Sequence, residues 1–253
     1  MRVYPLPRFR AQSRFARWLQ SVSMVEATNP YASAPMQALL AREMAALAPV
    51  LSAAYGNYGL FVRPRQGGAT LPAHLLGRIV ELDVEDDGLL AGDARCAPWQ
   101  LPFASESFKV LIVQHALERI VDAEACVAEL ARVLAPEGIA LMLGFNPLGT
   151  WRPWLMRRAR GLRLRSAGVC KARLAREQID TLQVRFPGEL WPRAKATTRP
   201  EQPTHSLLAR FGSSWLLIAR KRRSTLTPIR LRKPAREAAR APQLAPGAHR
   251  NCA

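Results

Sequence analysis

A strand–helix–strand unit in the middle of the chain constrains the fold more than any other feature. Residues 108–113 read Phe-Lys-Val-Leu-Ile-Val, an apolar run of strand length, and residues 122–135 carry apolar side chains at helical spacing. Pro136-Glu137-Gly138 then makes a turn, and residues 139–144 are again apolar. Short strands that alternate with helices at this pitch predict an α/β fold with a mostly parallel sheet.

Weaker patterns extend this unit in both directions. A helix is predicted from residue 33, and Pro49 should end or kink it near Ala48. Residues 174–184 predict another helix. Residues 206–211 and 214–219, joined by Gly212-Ser213, predict a C-terminal antiparallel hairpin. Three further short strands are predicted at 58–63, 78–84 and 89–92.

Charge and composition divide the 253 residues into parts. Residues 1–77 hold 8 basic and 2 acidic side chains (+6), residues 78–137 hold 5 and 12 (−7), and residues 138–253 hold 24 and 5 (+19), which add to the net +18. The hydrophobic content of 49% excludes a wholly disordered chain. We expect an N-terminal arm with a leading helix over 1–54, one domain over 55–232 with a variable segment at 146–205, and a disordered basic tail over 233–253.

Several functional classes find no support in the sequence. The four cysteines lie far apart without a CxxC pair, which favours reduced thiols in a cytoplasmic protein over a disulfide framework or a metal site. No apolar run reaches the ~18 residues of a membrane-spanning helix, and no secretory leader is expected in the first 20 residues. Neither GxxxxGK[ST] nor GxGxxG occurs, so a P-loop or nicotinamide enzyme is not expected.

The most specific pattern lies between residues 92 and 155. It consists of Gly92-Asp93-Ala94, Leu101-Pro102-Phe103, the strand at 108–113 with Gln114-His115-Ala116-Leu117-Glu118, the stretch ELARVLAPEG at 129–138, and Gly144-Phe145-Asn146-Pro147 with Trp151. This block resembles class I S-adenosylmethionine-dependent methyltransferases of the type-11 kind, and its GFNP resembles a proteobacterial subgroup of them. The resemblance covers residues 89–155 well and 55–220 overall, and it implies a Rossmann-like fold, S-adenosylmethionine as cofactor and methyl transfer to an unidentified acceptor.

The resemblance also implies a set of cofactor-binding residues. Asp93 would hold the adenine amino group, and Ala94 would place its backbone N–H beside the ring, although an aspartate here could instead cap a turn. Gln114 and His115, at the carboxyl end of the strongest strand, would face the cofactor. A lone histidine at such a place more often shapes a pocket or caps a helix than acts as a base, so no catalytic residue is assigned.

Three positions depart from the family pattern. Arg63-Pro64 stands where the first glycine of the cofactor turn is expected, and Gly67-Gly68 comes about three residues late. Arg63 could pair with the methionine carboxylate of the cofactor, or the pocket could be blocked. Glu81, with Asp83 beside it, is the candidate for the ribose hydroxyls but lies close to Asp93 in sequence. The acidic residue of the family's SFD is replaced by Lys109.

Two functions from different classes therefore remain. The first is methyl transfer to a small-molecule or anionic acceptor, held by the variable segment with its tryptophans and arginines. The second is a catalytically inactive scaffold that binds an anionic partner such as nucleic acid through its basic C-terminal half. Two arginine clusters would serve it, one at Arg152, Arg157, Arg158, Arg160, Arg163 and Arg165, the other at 220–223.

Overall fold

The computed structural model describes residues 30–65, 70–158, 161–192 and 210–222. The predicted N-terminal arm, the basic tail and Gly67-Gly68 lie outside these residues. The chain divides into two compact units, Met1–Arg223, which contains every described residue, and Ser224–Ala253. No helix in the described part is both long enough and apolar enough to cross a membrane.

One seven-stranded sheet organises the described residues. The elements in chain order are a 3₁₀ turn (Pro30–Ala32), α1 (Ala34–Ala53), β1 (Tyr55–Pro64), β2 (Leu75–Val84), β3 (Leu90–Gly92), β4 (Phe108–Gln114), α2 (Ala123–Val133), β5 (Leu134–Phe145), α3 (Arg152–Arg158), α4 (Ala167–Arg176), β6 (Ile179–Arg185) and β7 (Ser214–Lys221). The strand order is β3-β2-β1-β4-β5-β7-β6. The pairs β1–β2, β1–β4 and β4–β5 are parallel, whereas β7 runs antiparallel to β5 and β6. The predicted α/β class with antiparallel strands at its C-terminal end is confirmed.

The C-terminal strand β7 has two antiparallel partners among the described residues, β5 on one side and β6, at residues 179–185, on the other. Residues 206–209 of the predicted hairpin strand lie outside the described residues. The predicted helix over 174–184 was wrong, because α4 ends at Arg176 and Gln178 adopts a left-handed backbone (φ 58°) that turns the chain into β6. β6 is an edge strand with most of its side chains at least partly exposed, so it lacks the alternation that identifies a strand.

Helices cover both faces of the sheet. Val110 and Ile112 of β4 pack towards α1, while Leu111 and Val113 pack towards α2 and α4, as the two-residue period of a strand requires. α1 continues past Pro49 to Ala53, which corrects the predicted end near Ala48. The lost N–H of one proline is outweighed here because the last turn still buries Leu51 completely against the sheet.

The connection between β1 and β2 is unusually short for two parallel strands. The strands are in register from Tyr55 opposite Leu75 to Pro64 opposite Val84, so the chain must return along roughly 30 Å. Only residues 65–74 are available, and ten residues reach at most about 36 Å. The described ones among them, 65 and 70–74, contain no helix. A crossover helix of ordinary length therefore has no room at this point.

β3 joins β2 through a tight hairpin. The Glu85 N–H donates to the Leu89 carbonyl at 2.8 Å, and Gly88 takes a left-handed conformation (φ 82°) in the turn. β3 consequently runs antiparallel to β2. Its carboxyl end therefore points away from the edge at which the parallel strands end.

Candidate cofactor edge of the sheet

The parallel strands β1, β2, β4 and β5 all end at one side of the sheet, which we call the carboxyl edge. The strand order reverses between β1 and β4, and ligands of open α/β sheets bind outside the carboxyl ends at such a reversal. Of the six predicted cofactor residues, Arg63, Gln114 and His115 lie at the ends of β1 and β4 on this edge, and Glu81 lies three residues before the end of β2. Asp93 and Ala94 follow β3, which runs in the opposite direction. The structure divides them into two groups.

The first group is an ion-pair network across β1 and β2. Arg63 donates from Nη2 to Glu81 Oε2 at 2.8 Å and from Nε to Asp83 Oδ1 at 2.9 Å. The Arg63 guanidinium carbon also lies 5.2 Å from the centre of the Phe61 ring. The two carboxylates considered for the ribose hydroxyls are thus bonded to the arginine considered for the methionine carboxylate.

Asp93 completes the β2–β3 hairpin. Its backbone N–H donates to the Glu81 carbonyl at 3.0 Å, and its Oδ2 accepts the Glu81 N–H at 3.0 Å. Gly92 is required beside it, because a Cβ would overlap the Glu81 carbonyl and φ is 145°. Since β3 is antiparallel, Asp93 lies opposite Glu81, three residues and about 10 Å back from Val84 at the end of β2.

Ala94 and Asp93 are remote from Gln114 and His115. Ala94 is half-buried and packs against the core on the α2 side of the sheet. β3 stands three strands from β4, which corresponds to roughly 14 Å across the sheet. The hairpin thus places the GDA segment at the outermost strand of the sheet, beside β2.

The second group is a buried polar cluster beneath α1. Gln114 and His115 are fully buried, and both are bonded to Glu43 of α1. Gln114 Nε2 donates to Glu43 Oε2 at 3.0 Å, and His115 Nε2 lies 3.0 Å from both Glu43 carboxylate oxygens. Glu43 was not identified from the sequence, although it interrupts the apolar stripe of α1 between Leu40 and Leu47, which was the available signal.

Glu118 closes the cluster on its other side. Its Oε1 accepts the Phe145 N–H at 2.7 Å and lies 3.7 Å from His115 Nδ1. The Phe145 ring stacks on the imidazole with centroids 3.8 Å apart and planes inclined by 19°. We use the name buried polar cluster for Glu43, Gln114, His115 and Glu118.

The cluster holds His115 as an imidazolium ion. Burial would lower the pKa of His115, but the charge of Glu43, reinforced by Glu118, outweighs burial and raises the pKa to about 10. The residue also holds a left-handed backbone (φ 48°), a conformation that costs about 1 kcal/mol for a residue with a Cβ. A buried imidazolium between carboxylates serves poorly as a base at neutral pH and well as a structural countercharge.

The GFNP segment, at the end of β5, packs against the start of β7 and hydrogen-bonds to it. A Cβ on Gly144 would lie 2.7 Å from Trp215 Cε2 and 2.8 Å from Glu118 Oε1, so only glycine fits. Trp215 Nε1 donates to the Phe145 carbonyl at 3.1 Å. Asn146 Nδ2 donates to the carbonyls of Arg210 and Gly212, at 2.7 and 3.0 Å. The motif is therefore accounted for by packing and hydrogen bonding.

The LPF segment is likewise held by the helix that follows β4. Glu129 Oε2 accepts the Leu101 N–H at 3.0 Å, and Arg132 donates to the carbonyls of Leu101 at 3.1 Å and Phe103 at 2.9 Å. The Arg132 guanidinium lowers the pKa of the Glu129 carboxyl and keeps it ionised. Through these bonds the ELARV segment of α2 holds the LPF segment, so the two parts of the motif are in direct contact in the fold.

The carboxyl edge does not fit S-adenosylmethionine in the manner that the resemblance implies. That manner needs a glycine-rich turn leading into a helix after β1, whereas the short β1–β2 connection has no room for such a helix. The carboxylates of β2 are bonded to Arg63, and Asp93 is bonded to the β2 backbone. Gln114 and His115 are sealed beneath α1. Within the described ranges, no group of three or more His, Cys, Asp and Glu side chains is arranged to hold a metal ion.

Comparisons with known proteins concern the family and the fold. Residues 72–142 match the profile of a family described as "Methyltransferase domain". No curated protein matches the chain. Among solved structures, a protein from Listeria monocytogenes described as an S-adenosylmethionine-dependent methyltransferase has a TM-score of 0.50 and 14% identity, over 72% of this chain and 98% of that one.

Two further structures are similar at lower scores. A methyltransferase structure from Bacillus halodurans has a TM-score of 0.47 and 18% identity over 71% of this chain and 98% of that one. An S-adenosylmethionine-dependent methyltransferase from Thermotoga maritima has a TM-score of 0.49 and 12% identity over 82% and 98%. Identities this low concern the fold alone. The family match over residues 72–142 and the seven-stranded order of the sheet together show a Rossmann-like fold of the methyltransferase kind in the described part of the chain.

Proposed function

We propose that this methyltransferase domain works by binding an anionic partner and does not take up S-adenosylmethionine in the manner of its family. The observation that carries the proposal is the β1–β2 unit, in which only ten residues join two parallel strands that are in register and Arg63 bonds both Glu81 and Asp83. The connection matters more than the ion pairs. Half-exposed pairs contribute about 0–1 kcal/mol and a ligand could displace them, whereas rotating side chains cannot lengthen a connection of ten residues to make room for a helix of ordinary length.

The buried polar cluster supports the same interpretation. A ligand that reached Gln114 or His115 would have to displace Glu43 and leave an imidazolium without its nearest countercharge. Removing one partner from a buried ion pair costs about 3–5 kcal/mol. That cost opposes cofactor binding at the end of β4.

The described arginines indicate which part of the basic half can bind an anion. Arg152, Arg157 and Arg158 of α3 are exposed and form no salt bridge with any described residue. Arg163 and Arg165 of the same predicted cluster instead donate to backbone carbonyls after β4. Arg160 lies outside the described residues.

The described side chains of the second predicted arginine cluster also bond to other parts of the protein. Arg220 lies 3.7 Å from Glu137, and Arg222 pairs with Asp180 at 2.6 Å. Lys221 Nζ donates to two carbonyls at the end of α2, each at 2.7 Å. Arg223 lies outside the described residues. The anion-binding proposal therefore concentrates on α3.

S-adenosylmethionine-dependent methyl transfer to an anionic acceptor is the second candidate function. The match of residues 72–142 to the methyltransferase profile favours it, since that stretch includes the exposed Asp93. Methyl transfer depends on positioning more than on acid–base groups, so the protonated His115 does not argue against it.

Calorimetric titration of the full chain separates the two candidates. We expect no binding heat with S-adenosylmethionine or S-adenosylhomocysteine up to about 1 mM, a limit equivalent to roughly −4 kcal/mol. Binding that Asp93→Ala abolishes, and that Asp86→Ala on the same hairpin leaves intact, would refute the proposal and favour the second candidate. Asp86 is a suitable control because its side chain is 92% exposed and contacts only Arg119 among the described salt bridges.

A further inference from the structure

Three exposed apolar side chains belong to chain segments that come together beside the carboxyl edge. Leu148 is 74% exposed, Trp191 63% and Phe211 49%. They belong to separate segments that converge on Thr150, whose N–H donates to the Phe211 carbonyl at 3.2 Å and whose Oγ1 donates to the Leu190 carbonyl. Large exposed apolar side chains in one region of a protein surface mark a site that binds another protein, a ligand or a membrane.

The arginines of α3 follow Leu148 of this apolar group closely in sequence. α3 follows Leu148 closely and buries Leu155 against the domain, while Arg157 projects from its outer side. Met156, also exposed, shares a flank of α3 with Arg152, four residues earlier. We use the name apolar–basic surface for Leu148, Met156, Trp191, Phe211, Arg152, Arg157 and Arg158.

The other flank of α3 adds a second amphipathic pair. The Arg158 guanidinium carbon lies 5.6 Å from the ring centre of the half-buried Trp154, four residues earlier. The sequence contains nine basic residues and no acidic residue between Glu137 and Glu177. The positive potential of the surface is therefore not offset by neighbours along the chain.

The combination of arginine, aliphatic and aromatic side chains on this surface indicates the chemical class of the partner. Arginines bind phosphates of nucleic acids and of lipid headgroups equally well. The aliphatic Leu148 and Met156 gain nothing from a phosphate backbone, and base stacking uses aromatic rings. Aliphatic and indole side chains beside arginines match the boundary between acyl chains and anionic headgroups.

We propose that the apolar–basic surface binds the surface of an anionic phospholipid bilayer, with Leu148, Met156, Trp191 and Phe211 entering the headgroup boundary and the α3 arginines contacting phosphates. The inference rests on the proposed anionic partner and specifies its class. The surface does not use Arg63, Asp93 or the buried polar cluster, so cofactor binding and bilayer binding can be measured separately.

Vesicle flotation of the full chain tests the inference. We expect binding to vesicles of phosphatidylcholine with about 30% phosphatidylglycerol, little binding to phosphatidylcholine alone, and a loss of binding as salt rises from ~50 to ~500 mM. Leu148→Ser should reduce the partition coefficient about tenfold. Replacing Arg152, Arg157 and Arg158 by glutamine should reduce it roughly fivefold per arginine.

Two matched variants act as controls. Leu182→Ser removes a leucine of similar exposure from β6, and Arg78→Gln removes an exposed arginine from β2. Both should bind vesicles like the unchanged protein, because neither residue belongs to the apolar–basic surface. An equal loss in a control and its test variant would overturn the inference.

The remaining outcomes separate the inference from the proposed function. Absence of vesicle binding, together with oligonucleotide binding that the triple arginine variant loses, would overturn the lipid partner and leave the anionic partner standing. Binding to neither would overturn both. Binding of S-adenosylmethionine with unchanged vesicle binding would overturn only the proposed loss of cofactor uptake.

Discussion

The buried polar cluster should make the stability of this protein fall as pH rises from neutral to alkaline. The pKa of His115 is about 10 in the folded chain and 6.5 in an exposed histidine. The folded state therefore retains a proton that the unfolded state releases between these values. The resulting stabilisation is fully present below pH 6.5 and disappears as pH rises through 10.

The size of the effect follows from the two pKa values. The full difference corresponds to roughly 5 kcal/mol, and the slope between them is about −1.4 kcal/mol per pH unit. Two other buried groups limit the useful range. Burial raises the pKa of the Cys126 and Cys170 thiols to about 12, so their ionisation also contributes above pH 9. Between pH 6.5 and 8.5, His115 should account for about 2.3 kcal/mol, because at pH 6.5 half of the unfolded histidine is still protonated.

Urea unfolding at several pH values between 6.5 and 8.5 measures the slope. Glu43→Gln removes the nearest countercharge, so its unfolding free energy should be lower at pH 6.5 by about 3–5 kcal/mol and should depend less on pH. Glu81→Gln, in the half-exposed Arg63 pair, serves as a control that should keep the steep slope. A slope below about 0.5 kcal/mol per pH unit in the unchanged protein would refute the role of the cluster, as would an undiminished slope in Glu43→Gln.

Two further predictions concern the motif segments. Gly144→Ala should lower the unfolding free energy, measured in urea, by about 2–4 kcal/mol, because the added Cβ would overlap Trp215. Gly168→Ala, at a position of α4 with open space around it, should change the unfolding free energy by less than about 1 kcal/mol. Equal effects of the two substitutions would contradict the packing argument. Arg132→Gln should cost about 1–3 kcal/mol and should speed amide exchange across residues 101–105, which this side chain holds; unchanged exchange would show that the segment is held by other contacts.

Elements with strong local patterns were predictable. β4 is an uninterrupted apolar run, and α2 has an apolar face, an Asp122 N-cap and a glycine soon after its end, so neighbouring residues alone specify both. β6 was missed because an edge strand exposed on most sides carries no such pattern. The antiparallel course of β3 was missed as well, since the short segment before Asp93 gives no sign of strand direction.

In the candidate site, most of the residues themselves were predictable from the sequence, but their bonding partners were not. Arg63, Glu81, Asp93 and His115 were each identified from the sequence as candidate cofactor-binding residues. Their partners depend on which strands are neighbours and in what register, and the bond from Gln114 to Glu43 spans 71 positions of sequence.

The amino-acid sequence determined the α/β class and the methyltransferase resemblance, because apolar periodicity and short motifs are local properties of the chain. Only the tertiary structure decided that the carboxyl edge is occupied by internal ion pairs and a buried imidazolium. Burial and pairing arise when distant segments pack together, and no local pattern records them.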